Sequence, residues 1–401
     1  MSDASTTPVI LAAKRTPIGK FFGALSSTPA TKLGSYAIKA AMDATPGLKP
    51  EDVDECVMGH VVQAGCGQNP ARQAGLGAGL PDTLSAITIN KVCGSGLQAV
   101  MMAAQSIRAG DNHLVVAGGQ ENMTHAPHFS RVRNGVKYGS ADLTDSMAHD
   151  GLTCAFHNVP MGNHAEWVAS EFGITREQQD EFAAKSQQKA EEAQKQGWFR
   201  DEIVALTGEQ VGNRKVPGPE GGCAVDDGPR HGTTAEGLAK LRPAFQKDGT
   251  VTAGNASTIN DGAAALVVAS QAKAESMGAA PLAKVLAYHT SGTAPQALFT
   301  APALAVPAVV EKAGLTMDDI DLFELNEAFA SQSIHNITHA GVPEEKCNVA
   351  GGAIALGHPI GASGARVLTT LMHNMVRLDA KRGVAALCLG GGNAVAVVVE
   401  R

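Results

Sequence analysis

Two distant stretches of this chain read as copies of one another. "LKPEDVDECVMGH" (48–60) parallels "LTMDDIDLFELNE" (315–327), with Val53 falling on Ile320 and Asp54 on Asp321. The same offset carries Gly94 onto Gly361 and sets "VCGSGLQAVMMAA" beside "PIGASGARVLTTL". Further along, "LVVAGGQ" is echoed by "ALCLGGGN" at a slightly larger offset. Three matches in order imply one α/β unit used twice and related by an internal pseudo-dyad. The helix starts at Gly94 and Gly361 should then lie near each other. A site built there would draw residues from both halves.

The unit itself is legible in the apolar pattern. "VILAA", "CVMGHVV", "AITIN" and "HLVVAGG" read as strands, while "LGSYAIKAAMDA" and "GLQAVMMAAQSIRAG" read as helices, the second closed by Gly110. Alternation of this kind predicts an α/β architecture with a largely parallel, buried sheet. Between Met123 and Asp248 the strand signals fade, and histidine, glycine, proline and charge increase. "TREQQDEFAAKSQQKAEEAQKQGWF" within it predicts a long polar helix with a solvated outer face, capped by Thr175 and Gln178. The expected division is therefore an N-terminal α/β half (residues 1–122 and 249–273), an inserted loop domain covering the site (123–248), and a C-terminal α/β half (274–401).

Composition excludes several functions. The 401 residues carry a net charge of −7, a poor match for general nucleic-acid binding, and aromatics are scarce at 4%. Seven cysteines, an odd number with no CxxC pair, argue against a disulfide framework or a structural zinc site. No signal peptide, peroxisomal address or apolar span is expected, so the sequence reads as that of a cytoplasmic protein away from membranes.

Four glycine-rich or strand-end loops carry candidate chemistry. Cys93 stands before a helix start, where free N–H groups can stabilise a thiolate and lower its pKa, and Gly94 and Gly96 let a substrate approach the backbone, let two helices pack tightly and leave N–H groups free for an oxyanion hole. Alone it supports a core cysteine, a nucleophile, or a dinucleotide loop through "GSGLQA". His358, between Gly357 and Pro359, belongs to the repeat of the Cys93 loop; a cysteine–histidine pair is how an acyl-accepting thiol is activated. Cys388 precedes three glycines and reads either as a buried strand cysteine or as a second thiol able to shuttle a proton. Asn326, with Glu327, ends an apolar strand, where α/β sheets place site residues, although asparagine also caps helices. His335 and His339 are spaced like zinc ligands, but residue 336 is asparagine and no third ligand suggests itself.

Taken in order, "NKVCGSG", "TAGNAS", "NEAF", "GHPIGASG" and "CLGGG" resemble the thiolase family, and "AAKRTPIGKFFGAL" and "AKLRPAF" extend the likeness over nearly the whole chain. The resemblance implies a five-layered αβαβα fold of two duplicated halves with an inserted loop domain. It implies an acyl-CoA acyltransferase that condenses two acetyl-CoA to acetoacetyl-CoA, or cleaves short-chain 3-ketoacyl-CoA of the kind met in fatty acid metabolism. Cys93 matches the acylated nucleophile and His358 its base. Cys388 matches the acid/base, and Asn326 the residue whose water, with His358, stabilises the enolate or thioester oxygen. The N–H groups of Cys93 and Gly390 match a second oxyanion hole. Ser257 and Arg230 match contacts to coenzyme A, and Met161 and Phe329 line the acyl pocket. No permanently bound cofactor is implied, since coenzyme A and acyl-CoA are substrates. Family members are dimers or tetramers, and a homotetramer is favoured here.

Three positions depart from the family pattern. Pro160, with His157 nearby, stands where many acetoacetyl-type members carry histidine. Gly237 replaces a serine common near the cofactor, and Asn393 follows a glycine run where Met-Gly is common. Other readings make different demands. A decarboxylating 3-ketoacyl synthase would lack Cys388. A non-enzymatic coenzyme A or lipid-binding module would not need Cys93, His358 and Cys388 together. A dehydrogenase rests on "GSGLQA" alone.

Overall fold

The computed structural model describes residues 5–212 and 220–401. One half of its main sheet runs in the order Pro8–Arg15, Asn260–Ser270, Leu114–Asn122, Glu55–Gly59, Ser85–Ile89. The other runs Ala283–Gly292, Asn393–Glu400, Arg382–Leu389, Leu322–Leu325. The two halves meet where Val9 and Ile10 pair with Lys284 and Ala283. The duplication read from the sequence is therefore built into the sheet: Glu55–Gly59 and Leu322–Leu325 occupy corresponding places, as do Leu114–Asn122 and Arg382–Leu389.

Helices cover the sheets in three layers. Ser95–Ala109 and Ser363–Arg377 pack on each other between the two halves, in an apolar core that includes Leu97, Val100, Leu368 and Met372. Ala30–Asp43 and Pro70–Gly77 cover one outer face, and Ala301–Lys312 and Ala330–Ala340 the other. With the two sheet halves these make five layers.

The sheet is mixed, not largely parallel. Glu55–Gly59 is parallel to both its neighbours and Leu322–Leu325 to Arg382–Leu389, whereas Asn260–Ser270 and Asn393–Glu400 pair antiparallel on both sides. A tight return at Gly390–Gly392 makes Arg382–Leu389 and Asn393–Glu400 a hairpin, which needs no helical crossover. The return uses positive φ at Gly391 (92°) and Gly392 (101°).

The close approach of the two central helices depends on Gly96 and Gly364, not on Gly94. A Cβ on Gly96 would lie 2.7 Å from the Ala365 nitrogen, and one on Gly364 would strike the Leu97 backbone. Gly94 instead faces the Leu389 side chain.

The long polar helix forms over Arg176–Gln196 with the expected Thr175–Gln178 capping box. It is not a free outer face. Ala183, Ala184, Ala190 and Ala193 are buried, and Ser186 donates to Glu327 Oε2 at 2.6 Å. Alanine makes a flat contact stripe that a count of polar residues conceals. The same region is anchored to the N-terminal half by Arg15, which is buried and donates to Glu202 at 2.6 Å and to both oxygens of Asp226 at 2.6 and 2.8 Å.

Candidate active site

Cys93 is presented by a strained turn. Val92 takes φ 48°, unfavourable for a β-branched residue, and its N–H donates to Asn90 Oδ1 at 2.9 Å. The Val92 carbonyl accepts from the Ser95 N–H at 3.0 Å and the Ser95 hydroxyl at 2.7 Å, which ties the turn to the helix start.

His358 is placed by both halves. Its N–H donates to Asn260 Oδ1 at 2.9 Å, and the preceding Gly357 has φ 106° and abuts the Asn260 side chain. Nδ1 lies 2.7 Å from Ser363 Oγ, while that hydroxyl lies 2.9 Å from the Pro359 carbonyl as donor. A serine hydroxyl has one proton, so Ser363 accepts from Nδ1–H and leaves Nε2 with its lone pair. Nε2 is buried and has no hydrogen-bond partner among the described residues; nor has Asn326 Oδ1, although Asn326 Nδ2 lies 3.5 Å from His358 Nδ1. These two bare acceptors mark a place for a bridging water that donates to both.

A cleft of about 640 Å³ is lined by Cys93, His358, Cys388 and Gly390, and also by Ser257, Arg230, Met161 and Phe329. Asn326 stands just behind it, against His358. Glu327 turns elsewhere and holds Ser186 and Asn348 (2.8 Å). Of the three departures, Pro160 lines the cleft. Gly237 is exposed away from its wall, and Asn393 lies at the strand start with Nδ2 3.1 Å from the Gly392 carbonyl. Several lining residues had no assignment from sequence. Phe245 and Phe299 meet Phe329 edge-on, with ring centroids 6.1 and 5.2 Å away, and Leu298 packs in the same cluster. "AKLRPAF" contains Phe245, so the family likeness carried a signal for it; the "PQALFT" turn carried none.

The electrostatics assign protons. Burial pushes the Cys93 thiol up to about 12, opposed by the N–H groups of Gly390 and Cys93 itself. This reverses the expectation that the helix start would lower it, because desolvation exceeds what those donors supply. Burial, then repulsion from Cys93, raises Cys388 well above the usual thiol range. Burial, then Arg366, lowers His358 to about 3, so its imidazole is neutral. The resting site therefore holds two thiols and one neutral base. The two N–H donors aimed at the Cys93 sulfur are those of Cys93 and Gly390, the pair expected for an oxyanion hole.

The glycine-loop register is fixed from a second direction. Glu121 accepts from Val61 N–H (3.1 Å), Val62 N–H (3.2 Å) and Gly361 N–H (2.8 Å), and pairs with His60 Nε2 at 3.2 Å. Both side chains are fully buried. Burial opposes the charge on His60, but Glu121 and Cys66 raise it to about 9.

Residues 8–272 match the thiolase N-terminal domain and residues 279–401 the thiolase C-terminal domain. An acetyl-CoA acetyltransferase of Chromobacterium violaceum is 53% identical over 393 residues, covering 98% of this chain and 99% of that one. A cytosolic acetyl-CoA acetyltransferase of Rattus norvegicus is 48% identical over 403 residues and 100% of both chains. The crystal structure of the Bacillus anthracis acetyl-CoA acetyltransferase superposes with a TM-score of 0.95 at 40% identity over 100% of each chain.

Proposed function

The chain belongs to the thiolase family, and from that premise we propose that it is an acyl-CoA C-acyltransferase working on acetyl-CoA and acetoacetyl-CoA or other short 3-ketoacyl-CoA. The observation that carries this reading is the convergence of Cys93 from one half with His358, Cys388 and Gly390 from the other on one cleft.

His358 Nε2 takes the Cys93 proton as the sulfur attacks the thioester carbonyl. The carbonyl oxygen becomes an oxyanion between the N–H groups of Cys93 and Gly390. Coenzyme A takes the proton from His358 and leaves as the thiol, and the acyl group stays on Cys93 as a thioester. Acylation removes the charge that Cys93 could place beside Cys388. In the condensing direction Cys388 then passes its proton to the neutral His358, and the resulting thiolate takes the α-proton of the second acetyl-CoA. The enolate oxygen accepts from the His358 Nε2–H and from the water held by Asn326, the carbanion attacks the acyl carbon, and the Cys93 sulfur leaves and takes the proton back from His358. Cleavage runs the same steps backwards, with the Cys388 thiol as the proton donor.

Met161, Phe245, Phe299 and Phe329 form the apolar end for the acyl group. Ser257 and the exposed Arg230 meet coenzyme A, Arg230 by charge near the nucleotide. Residues 123–248 act as the inserted unit that covers this entrance. No permanently bound cofactor enters the mechanism.

We place the protein in the cytoplasm as a homo-oligomer, a tetramer in preference to a dimer. Supporting the location, no described helix is long and apolar enough to cross a membrane, all seven cysteines are free, and the rat relative is named cytosolic. Supporting self-association, Ser85–Ile89 is an edge strand with Ile87 41% exposed, and Tyr138 and Leu143 are 100% and 70% exposed. Light scattering on the eluting protein measures the assembly.

The activity is tested by incubation with acetoacetyl-CoA and coenzyme A. Thioester loss with an acetyl group on Cys93, detected by peptide mass spectrometry, is expected. Absence of both would defeat the reading.

A further inference from the structure

Cys154, His157 and His164 stand together beside the acyl pocket, and the proposed reaction uses none of them. One ligand atom from each lies within 4.8 Å of the other two. The turn that brings them together is tight: Cys154 N–H donates to the Val159 carbonyl and Asn158 N–H to the Cys154 carbonyl, each at 2.8 Å, with Asn158 at φ 53°. This closes a loop that sets Cys154 and His157 side by side, with Sγ 3.5 Å from Nδ1. His164 comes from the first turn of the Met161–Glu171 helix, and its ring meets His157 edge-on at 5.3 Å.

The decisive residue is His164. It is 3% exposed. Its Nδ1 lies 3.2 Å from the Gln296 carbonyl and donates to it, so Nε2 carries the lone pair, and Nε2 has no partner among the described residues. A buried nitrogen left unsatisfied costs about 1–3 kcal/mol. A histidine whose far nitrogen is held by a backbone carbonyl, with its near nitrogen bare, has the arrangement of a metal ligand. The spacing agrees. Zinc–sulfur and zinc–nitrogen bonds of about 2.3 and 2.0–2.1 Å at tetrahedral angles put the two ligand atoms about 3.6 Å apart.

We propose that Cys154, His157 and His164 form a binding site for a divalent, thiolate-preferring cation of the Zn²⁺ type. The ligand atoms are Cys154 Sγ, His157 Nδ1 and His164 Nε2, and water fills the fourth position on the exposed His157 side. On binding, the Cys154 thiol releases its proton to solvent and the thiolate donates an electron pair to the metal. The site reaches the catalytic cleft through its own loop. Pro160 and Met161, just beyond the turn, line the acyl pocket, and the Phe156 ring edge is 3.6 Å from where a Cβ on Gly391 would sit. A metal there clamps the pocket wall against the Gly390–Gly392 return. This inference goes beyond the proposed acyl transfer and stands whether or not that reaction is right.

The test uses the full chain carrying Cys93→Ala and Cys388→Ala, which removes the catalytic thiols as competing ligands, titrated with Co²⁺ followed by absorbance. One equivalent of cobalt per chain is expected, with tetrahedral d–d bands and a thiolate-to-cobalt charge-transfer band. Adding Cys154→Ser or His164→Gln should abolish the charge-transfer band or the stoichiometric site. His157→Gln, at an exposed position, should weaken cobalt binding by roughly 10–100-fold or more, the range that even the loss of an outer hydrogen-bond partner costs. No thiolate-to-cobalt band in the parent, or a band that survives Cys154→Ser and His157→Gln, overturns the proposal.

Discussion

Ser363 Oγ lies 2.7 Å from His358 Nδ1, and because its proton goes to the Pro359 carbonyl it fixes the imidazole with Nε2 bare. The proposed general base is therefore oriented by a residue that does not line the cleft.

Ser363→Ala removes that acceptor, and a buried Nδ1–H left unpaired favours the other tautomer. Loss of one such contact is worth about 1–3 kcal/mol, so the rate of Cys93 acylation should fall roughly 10–100-fold with little change in KM. Ser363→Thr should restore most of it. Equal acylation rates in the alanine variant and the parent would remove the tautomer role.

His358, held near 3 by burial and Arg366, is already neutral across the usual assay range. The Cys93 thiol, near 12, stays protonated there. The pH profile of kcat/KM for the acylation half-reaction should accordingly lack an acid limb near the ordinary histidine value. A limb centred near 6.5 would mean that His358 charges in the free enzyme.

His60 binds its proton more tightly folded, near 9, than unfolded, near 6.5. Its pairing with Glu121 is fully stabilising below the unfolded value and is lost as pH rises through about 9. Thermal unfolding should show the midpoint falling by a few degrees between pH 6.5 and 9.5, and His60→Gln should flatten that slope. An unchanged slope in the variant assigns the effect to other groups.

Arg15→Met leaves Glu202 and Asp226 buried without their shared cation. Breaking a buried ion pair from one side costs about 3–5 kcal/mol. Urea denaturation should show a loss of that order. A change under 1 kcal/mol would mean that the anchor of residues 123–248 lies elsewhere.

The catalytic loops were legible because their residues are unusual for their surroundings. Cysteine and histidine among glycines, repeated at one offset, imply a junction between copies, and Cys93, His358, Cys388 and Gly390 do line one cleft. Of the two glycines expected to let the helices pack, Gly96 does so, against Ala365 and the Gly361 carbonyl, and Gly94 does not; Gly364 completes the contact, because helix packing depends on which face each residue occupies. Strand direction is not legible in the apolar runs, which look alike in parallel and antiparallel pairs; the turn at Gly390–Gly392 sets it for Arg382–Leu389 and Asn393–Glu400, and tertiary pairing sets the rest. Leu298 and Phe299 come from a 3₁₀ turn too short to show periodicity, so nothing local marks them as pocket walls, and only the family likeness of "AKLRPAF" pointed to Phe245. The strain at Val92 and the His60–Glu121 pair arise only from tertiary closure.

The division of labour between the two thiols is tested most directly with Cys388→Ala, mixed with acetyl-CoA and examined both for acetyl-Cys93 and for acetoacetyl-CoA. Acetylation of Cys93 should proceed as in the parent, while carbon–carbon bond formation falls by on the order of 10²–10⁴, the share of a positioned acid/base. Condensation at the parent rate, or failure of Cys93 to acetylate in the parent enzyme, would contradict the account.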